Sequence, residues 1–170
     1  MNKQDTFYKN TVANKPHQLL IKAIPYLAEK KKALDLGAGA LRDSKYLLEE
    51  GFQIVHAVDV NMPVTLEDPR FTFFQTKFDE FEFKKNFYDL VNFQYSLPFN
   101  SPVTFEKVWR EMIDAVVPGG ILVGNFFGDR DEWNTPVSKL TFHTRTEVEQ
   151  LLASTNVLFS TRSKKNRKLL

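Results

Sequence analysis

The sequence predicts an α/β chain: a mostly parallel sheet with helices on both faces, folded as one domain. Three observations predict it. Short apolar runs alternate along the chain with segments of helical periodicity. Many of those runs are apolar at every position, as strands buried on both faces are. One run, Ala33–Leu34–Asp35–Leu36, passes straight into Gly37–Ala38–Gly39, with a helical pattern just beyond. That places a carboxylate at the carboxyl end of a central strand, where open α/β sheets bind ligands.

From Pro16, the residues Leu19, Leu20, Ala23, Ile24, Leu27 and Ala28 follow helical spacing, with Asn14 as N-cap, Pro16 in the first turn and Pro25 positioned to shorten the helix. Lys30, Lys31 and Lys32 read as a solvated link to the first strand. Beyond the glycine turn, Leu41, Leu47 and Leu48 mark a short helix that Gly51 closes. A second strand covers Ile54–Val58 and ends at Asp59, a third covers Phe71–Gln75, and a fourth covers Phe87–Phe93. Ser101–Pro102 reads as a helix start, N-cap followed by proline. Behind it, Phe105, Val108, Trp109, Met112, Ile113 and Val116 form the strongest amphipathic pattern in the chain. Pro118–Gly119–Gly120 is expected to turn into a fifth strand over Ile121–Phe127. Thr144 and Glu147 have capping-box spacing ahead of Val148, Leu151 and Leu152, and Asn156–Ser160 is expected as a sixth strand.

Composition narrows the class further. A chain of 170 residues suffices for one core. The amino-terminal residues are polar, and no run reaches the roughly 18 apolar residues of a membrane span. Cysteine is absent, which excludes disulfide and thiolate chemistry. A cytoplasmic home is the expectation. Net charge is +2, yet Arg162, Lys164, Lys165, Arg167 and Lys168 stand in an acid-free tail, so the body is mildly acidic. The division expected is a domain over 1–160 and a basic, irregular tail over 161–170. An acidic body argues against nucleic acid as partner. His17, His56 and His143 show no metal-ligand spacing, and no metal is expected.

The glycine turn carries the chemistry. Gly37 and Gly39 allow the backbone to pass close to a ligand that Cβ atoms would obstruct. The dinucleotide fingerprint would place a third glycine at position 42, where this chain has Arg42. A dehydrogenase usually keeps the residue before the turn apolar and binds a diphosphate at the helix N-terminus. Asp35 and Arg42 instead suit a cofactor without phosphates. Asp59, 20 residues after Gly39, stands where a carboxylate accepts both hydroxyls of a ribose.

Together, Asp35, Gly37, Ala38, Gly39 and Asp59 resemble the first two motifs of class I S-adenosylmethionine-dependent methyltransferases, on a Rossmann-like domain. Phe87–Tyr88–Asp89–Leu90–Val91 is similar to that family's fourth strand, and Pro118–Gly119–Gly120–Ile121–Leu122 to its turn into the fifth. Lys15–Pro16, Arg42–Asp43–Ser44, the run 128–133 and the run 141–147 resemble the tellurite-resistance-type and related small-molecule methyltransferases.

The resemblance implies roles. Asp35 and the backbone of Gly37, Ala38 and Gly39 would hold the methionine end of S-adenosylmethionine, with Arg42 on its carboxylate. Asp59 would bind the ribose, with Val60 and Asn61 beside the adenine, and Phe78 and Asp79 would flank that ring. Asn92, Phe93 and Gln94 would line the sulfonium, and Tyr95, Phe99, Phe127 and Trp133 the acceptor. S-adenosylhomocysteine would be the product and a small molecule the acceptor, but no residue stands out as a base.

The family usually ends in an antiparallel hairpin beside the fifth strand. Here the candidate sixth strand leads only into the basic tail, so the terminal hairpin reads as incomplete. The exposed sheet edge this would leave suits a homodimer. A non-catalytic relative that keeps the cofactor or a partner is the alternative function. A nicotinamide-dependent oxidoreductase and an RNA methyltransferase are the remaining ones.

Overall fold

The computed structural model describes residues 15–62 and 64–155. Its main sheet has five strands, β1 (Lys32–Leu36), β2 (Ile54–Asp59), β3 (Phe71–Gln75), β4 (Tyr88–Phe93) and β5 (Val116–Gly124), in the order β3-β2-β1-β4-β5. Every pairing between them is parallel. The order reverses between β1 and β4, so the switch point of the sheet lies at the carboxyl end of β1. The Rossmann-like expectation is met.

Period-two alternation divides the strands between two cores. Leu34, Leu36, Val91 and Phe93 face helix α3 (Phe105–Ala115), which buries Phe105, Val108, Trp109 and Met112 against them. Ala33, Val55, Leu90 and Val123 face helices α1 (Gln18–Ala23) and α2 (Arg42–Glu49), which contribute Leu20, Ala23, Leu47 and Leu48. Each such fully buried leucine contributes about 1.5–3 kcal/mol.

Local signals explain three of the helix ends. α1 stops at Ala23 and tightens into a 3-10 turn over Ile24–Tyr26, because Pro25 has no N–H to continue the α ladder. α2 ends in a Schellman motif: Phe52 N–H bonds Leu47 O at 3.2 Å, Gly51 N–H bonds Leu48 O at 3.1 Å, and Gly51 has φ +91°. Helix α4 (Arg145–Leu151) carries the complete capping box of Thr144 and Glu147.

Two expectations are corrected. α3 begins at Phe105 with Thr104 as N-cap, not at Ser101–Pro102. Ser101–Thr104 is a separate turn, with Thr104 N–H on Ser101 O at 3.0 Å, and proline suits such a turn as well as it suits a helix start. β5 begins directly after α3 and ends at Gly124, short of Phe127. Tyr88 pairs with Val116 but Leu90 with Ile121, so Val117–Gly120 bulges opposite Asp89. Phe127–Gly128 (β6) instead pairs in parallel with Phe142–His143 (β7) as a separate two-stranded piece. Asn14, the sixth strand at 156–160 and the tail at 161–170 lie outside the described residues. Among the described residues, no helix is long and apolar enough to cross a membrane.

Candidate cofactor and acceptor site

The glycine turn leaves β1 at the switch point and is tied to β2 by its own amides. Gly37 N–H and Ala38 N–H both donate to Val58 O, at 2.7 and 3.2 Å, and Gly39 N–H donates to Asp59 Oδ2 at 2.9 Å. The other oxygen of Asp59 accepts from Asn61 N–H at 3.0 Å. A diphosphate needs free backbone N–H groups, and those of this turn are already committed. Asp59 is half-buried, with lone pairs on both oxygens still available to hydroxyls.

Gly37 serves a neighbour as well as the turn. Its φ is +73°, and a Cβ built there would lie 2.1 Å from Cβ of Ser96. Ser96 Oγ donates to Leu36 O at 2.6 Å, locking the segment after β4 over the turn. The Cβ side of this glycine is therefore taken by the chain itself.

Beneath the turn lies a polar cluster on the α1/α2 face. Asp35 is 2 % exposed and accepts from Ser44 Oγ at 2.6 Å and from Asn92 Nδ2 at 2.9 Å. Asn92 Nδ2 is also 3.1 Å from Asp43 Oδ2. Asp43 in turn receives His17 N–H on Oδ1 at 3.0 Å and the His17 ring nitrogen Nδ1 on Oδ2 at 2.6 Å. Burial pushes the Asp35 carboxyl up to about 7, with the charge of Asp43 adding to the effect. Burial alone would raise Asp43 too, but its bonds from His17 outweigh that and hold it below the usual carboxylate range.

Arg42 opens α2 and lies against His17. Its Nη2 is within hydrogen-bond reach of both ring nitrogens, in close contact with Nε2 and 3.2 Å from Nδ1. Asp35 is thus placed inside the protein, and the surface of the cluster is formed by His17 and Arg42. His17, Asp43, Ser44 and Ser96 are partners that sequence reasoning did not assign. The signal was available in part, since Asp43 and Ser44 fall one turn into the helix after the glycines, but His17 arrives from α1 through tertiary structure.

The remaining expected residues divide. Gln94 is buried with Nε2 unpartnered, and Asn92 Oδ1 is likewise unpartnered. Phe93 packs edge-on against Trp109 and Phe126 in the core. Val60 is exposed beside Asp59. Phe78 packs against the α3 core, and the carbonyl of Asp79 receives Lys107 Nζ at 2.9 Å. Phe99, Phe127 and Trp133 meet in one aromatic cluster, with centroids 5.7–6.2 Å apart. The Tyr95 ring lies 5.3 Å from that of His17.

Strain concentrates here as well. Among the described residues, Leu41, Asn86 and Tyr95 are the non-glycine positions with positive φ, and two of the three border the glycine turn. Residues held in such conformations cluster at functional sites. Two surface cavities lie elsewhere. One of about 390 Å³ is lined by Glu106, Trp109 and Gln150, and one of about 230 Å³ by Leu27, Asp89 and Pro118. Neither includes a residue of the turn.

Solved structures share this architecture. The protein solved with the Haloferax volcanii Trm112 methyltransferase activator is 16% identical, covering 88% of this chain and 71% of that one, with a TM-score of 0.71. The Burkholderia thailandensis 1,6-didemethyltoxoflavin-N1-methyltransferase, solved with 1,6-didemethyltoxoflavin and S-adenosylhomocysteine, is 19% identical over 88% of this chain and 74% of its own, at 0.61. A protein from Anaeromyxobacter dehalogenans described as a type II methyltransferase is 22% identical over 65% of this chain, at 0.54, and the chain spans 47% of its length. At these identities the likeness is one of fold. No curated protein sequence matches the chain. The family described as "Methyltransferase domain" matches residues 34–124, and the chain belongs to that family.

Proposed function

We propose that the chain is an S-adenosylmethionine-dependent methyltransferase acting on a small molecule. The observation that carries this reading is the state of the turn's amides. With the N–H groups of Gly37, Ala38 and Gly39 donated to Val58 and Asp59, the turn favours a ligand that presents donors, such as an ammonium and ribose hydroxyls. Asp59 binds the ribose, with Val60 and Asn61 beside the adenine and Phe78 and Asp79 beyond. The methionine carboxylate lies at the start of α2, which has no side-chain cap, with Arg42 as its partner. Asn92 and Gln94, whose buried amides each keep an unpartnered polar atom, flank the sulfonium.

The cofactor supplies a methyl group on a cationic sulfur, which leaves as a neutral thioether. The protein's task is therefore alignment, an effect worth up to about 7–11 kcal/mol. Tyr95 and the Phe99–Phe127–Trp133 cluster form the acceptor side. Phe127 is its buried floor and Phe99 its exposed rim, which suits an acceptor with an apolar or aromatic face.

Titration with S-adenosylhomocysteine tests the reading. Micromolar-range binding is expected, weakened at least tenfold, about 1.4 kcal/mol, in Asp59→Ala. Absence of binding to the wild-type chain would overturn it.

A further inference from the structure

Four amide side chains carry a buried polar atom that no group among the described residues bonds: Asn92 Oδ1, Gln94 Nε2, Asn100 Nδ2 and Asn125 Oδ1. Such atoms are rare and costly in protein interiors, so each calls for a reason. All four stand at the end of β4 or in the segments that follow β4 and β5. Gln94 and Asn125 belong together. Phe93 and Gly124 are the last paired residues of β4 and β5, so the next residue on each strand leaves the sheet from an adjacent position. The strand ends touch there, since a Cβ on Gly124 would lie 2.3 Å from the Phe93 ring. Gln94 Nε2 and Asn125 Oδ1 nevertheless do not bond each other. One donor and one acceptor are thus left at neighbouring strand ends for a third group.

The same two segments carry the rings of the acceptor side. Phe99 follows Gln94, Phe127 follows Asn125, and the two rings meet at a centroid distance of 5.8 Å. Asn100 is tied to the same place: its carbonyl accepts from Thr141 Oγ1 at 2.8 Å, and the next residue, Phe142, packs on Phe127. Charge is missing from both stretches, since residues 90–105 and 115–128 hold no Asp, Glu, Lys or Arg. A charged group brought here from water would find no counter-charge in either of them, and burying it unpaired is costly.

We propose that the methyl acceptor is a neutral, planar heterocycle with a lactam edge, its carbonyl taken by Gln94 Nε2 and its adjacent N–H by Asn125 Oδ1. The inference rests on the methyltransferase reading given above and names the class of substrate for that site. The face of the ring lies on the cluster of Phe99, Phe127 and Trp133, and Gln94, at the sulfonium, brings the edge to the methyl group. Gln94 and Asn125 set specificity through what they reject. A ring of the same shape without the edge leaves both amides unpaired, and a charged ring meets no counter-ion.

A panel of matched bicyclic probes tests this in the wild-type chain saturated with S-adenosylhomocysteine, so no variant has to fold. Quinazolin-4-one carries the lactam edge. Its 3-methyl derivative lacks the N–H, naphthalene lacks both groups, and quinoline-2-carboxylate carries a charge. Ligand-observed NMR titration is expected to rank quinazolin-4-one at least about fivefold tighter than each of the other three. Asn125→Leu is expected to remove its preference over the 3-methyl derivative, with bound S-adenosylhomocysteine reporting that the variant is folded. A merely structural Asn125 would leave that preference unchanged, and this result would count against the inference. Equal affinities across the panel, tightest binding of the carboxylate, or no binding of any probe overturns the inference and leaves the cofactor assignment standing. Failure of S-adenosylhomocysteine itself to bind overturns the two together.

Discussion

Ser96 occupies the place that a side chain on Gly37 would need: a Cβ on Gly37 would lie 2.1 Å from Cβ of Ser96. Gly51 shares the positive φ, but a Cβ there meets nothing within 4 Å. The two glycines therefore separate conformational cost from steric cost. Gly51→Ala is expected to destabilise by about 1 kcal/mol, and Gly37→Ala by about 2–4 kcal/mol, adding overpacking to the φ penalty. Ser96→Gly should recover part of the Gly37→Ala loss in a double-mutant cycle. Urea denaturation of the four variants checks this, and equal costs at Gly37 and Gly51 would refute the close approach.

The buried acids make opposite contributions to stability as pH changes. Asp35 keeps its proton in the folded chain up to about 7, against 3.8 for an ordinary carboxyl. Between those values the folded state binds more protons than the unfolded one. Stability from this group therefore falls as pH rises through that window and levels off above it. Asp43, held low by His17, contributes stability above the usual carboxylate range and loses it as pH falls. Asp35→Asn should flatten the decline between about pH 4 and 7. Urea midpoints measured across that range for both proteins are the check.

Asp43 also anchors α1, since it accepts from both the backbone and the ring of His17 just ahead of that helix. Asp43→Ala should cost about 2–4 kcal/mol through the donors left buried. The loss should be greatest at α1: amide hydrogen exchange at Ile21, whose N–H bonds His17 O at 3.1 Å, should rise more than exchange in β4. Uniform acceleration would argue against a local anchor.

Met112 lies at the centre of the α3 face and is fully buried. Met112→Ala is expected to cost about 2–5 kcal/mol by cavity formation. The opposite core, with α1 and α2, carries the cluster around Asp35, so S-adenosylhomocysteine affinity should stay within about twofold of wild type under conditions where the variant is folded. A large loss of affinity in folded protein would show that the two cores are coupled.

The sequence alone determined the class of fold and the place of the glycine turn at the carboxyl end of a central strand. Strand-length apolar runs, glycine at a turn and a carboxylate at the end of the second strand are local signals, written in neighbouring residues. Gly51, the capping box at Thr144 and the shortening at Pro25 were legible for the same reason, because each acts through its own backbone. Ser101–Pro102 misled because a proline turn and a proline-led helix start share one local signature. The tertiary structure decided what the turn's amides bond to, that Ser96 fills the space beside Gly37, and that His17 and Arg42 cover a buried pair of acids. Those relations join α1, β1, α2 and β4 across as many as 60 positions. Periodicity and spacing carry no information about such partners, because only the packing of two helices on one sheet face brings them together.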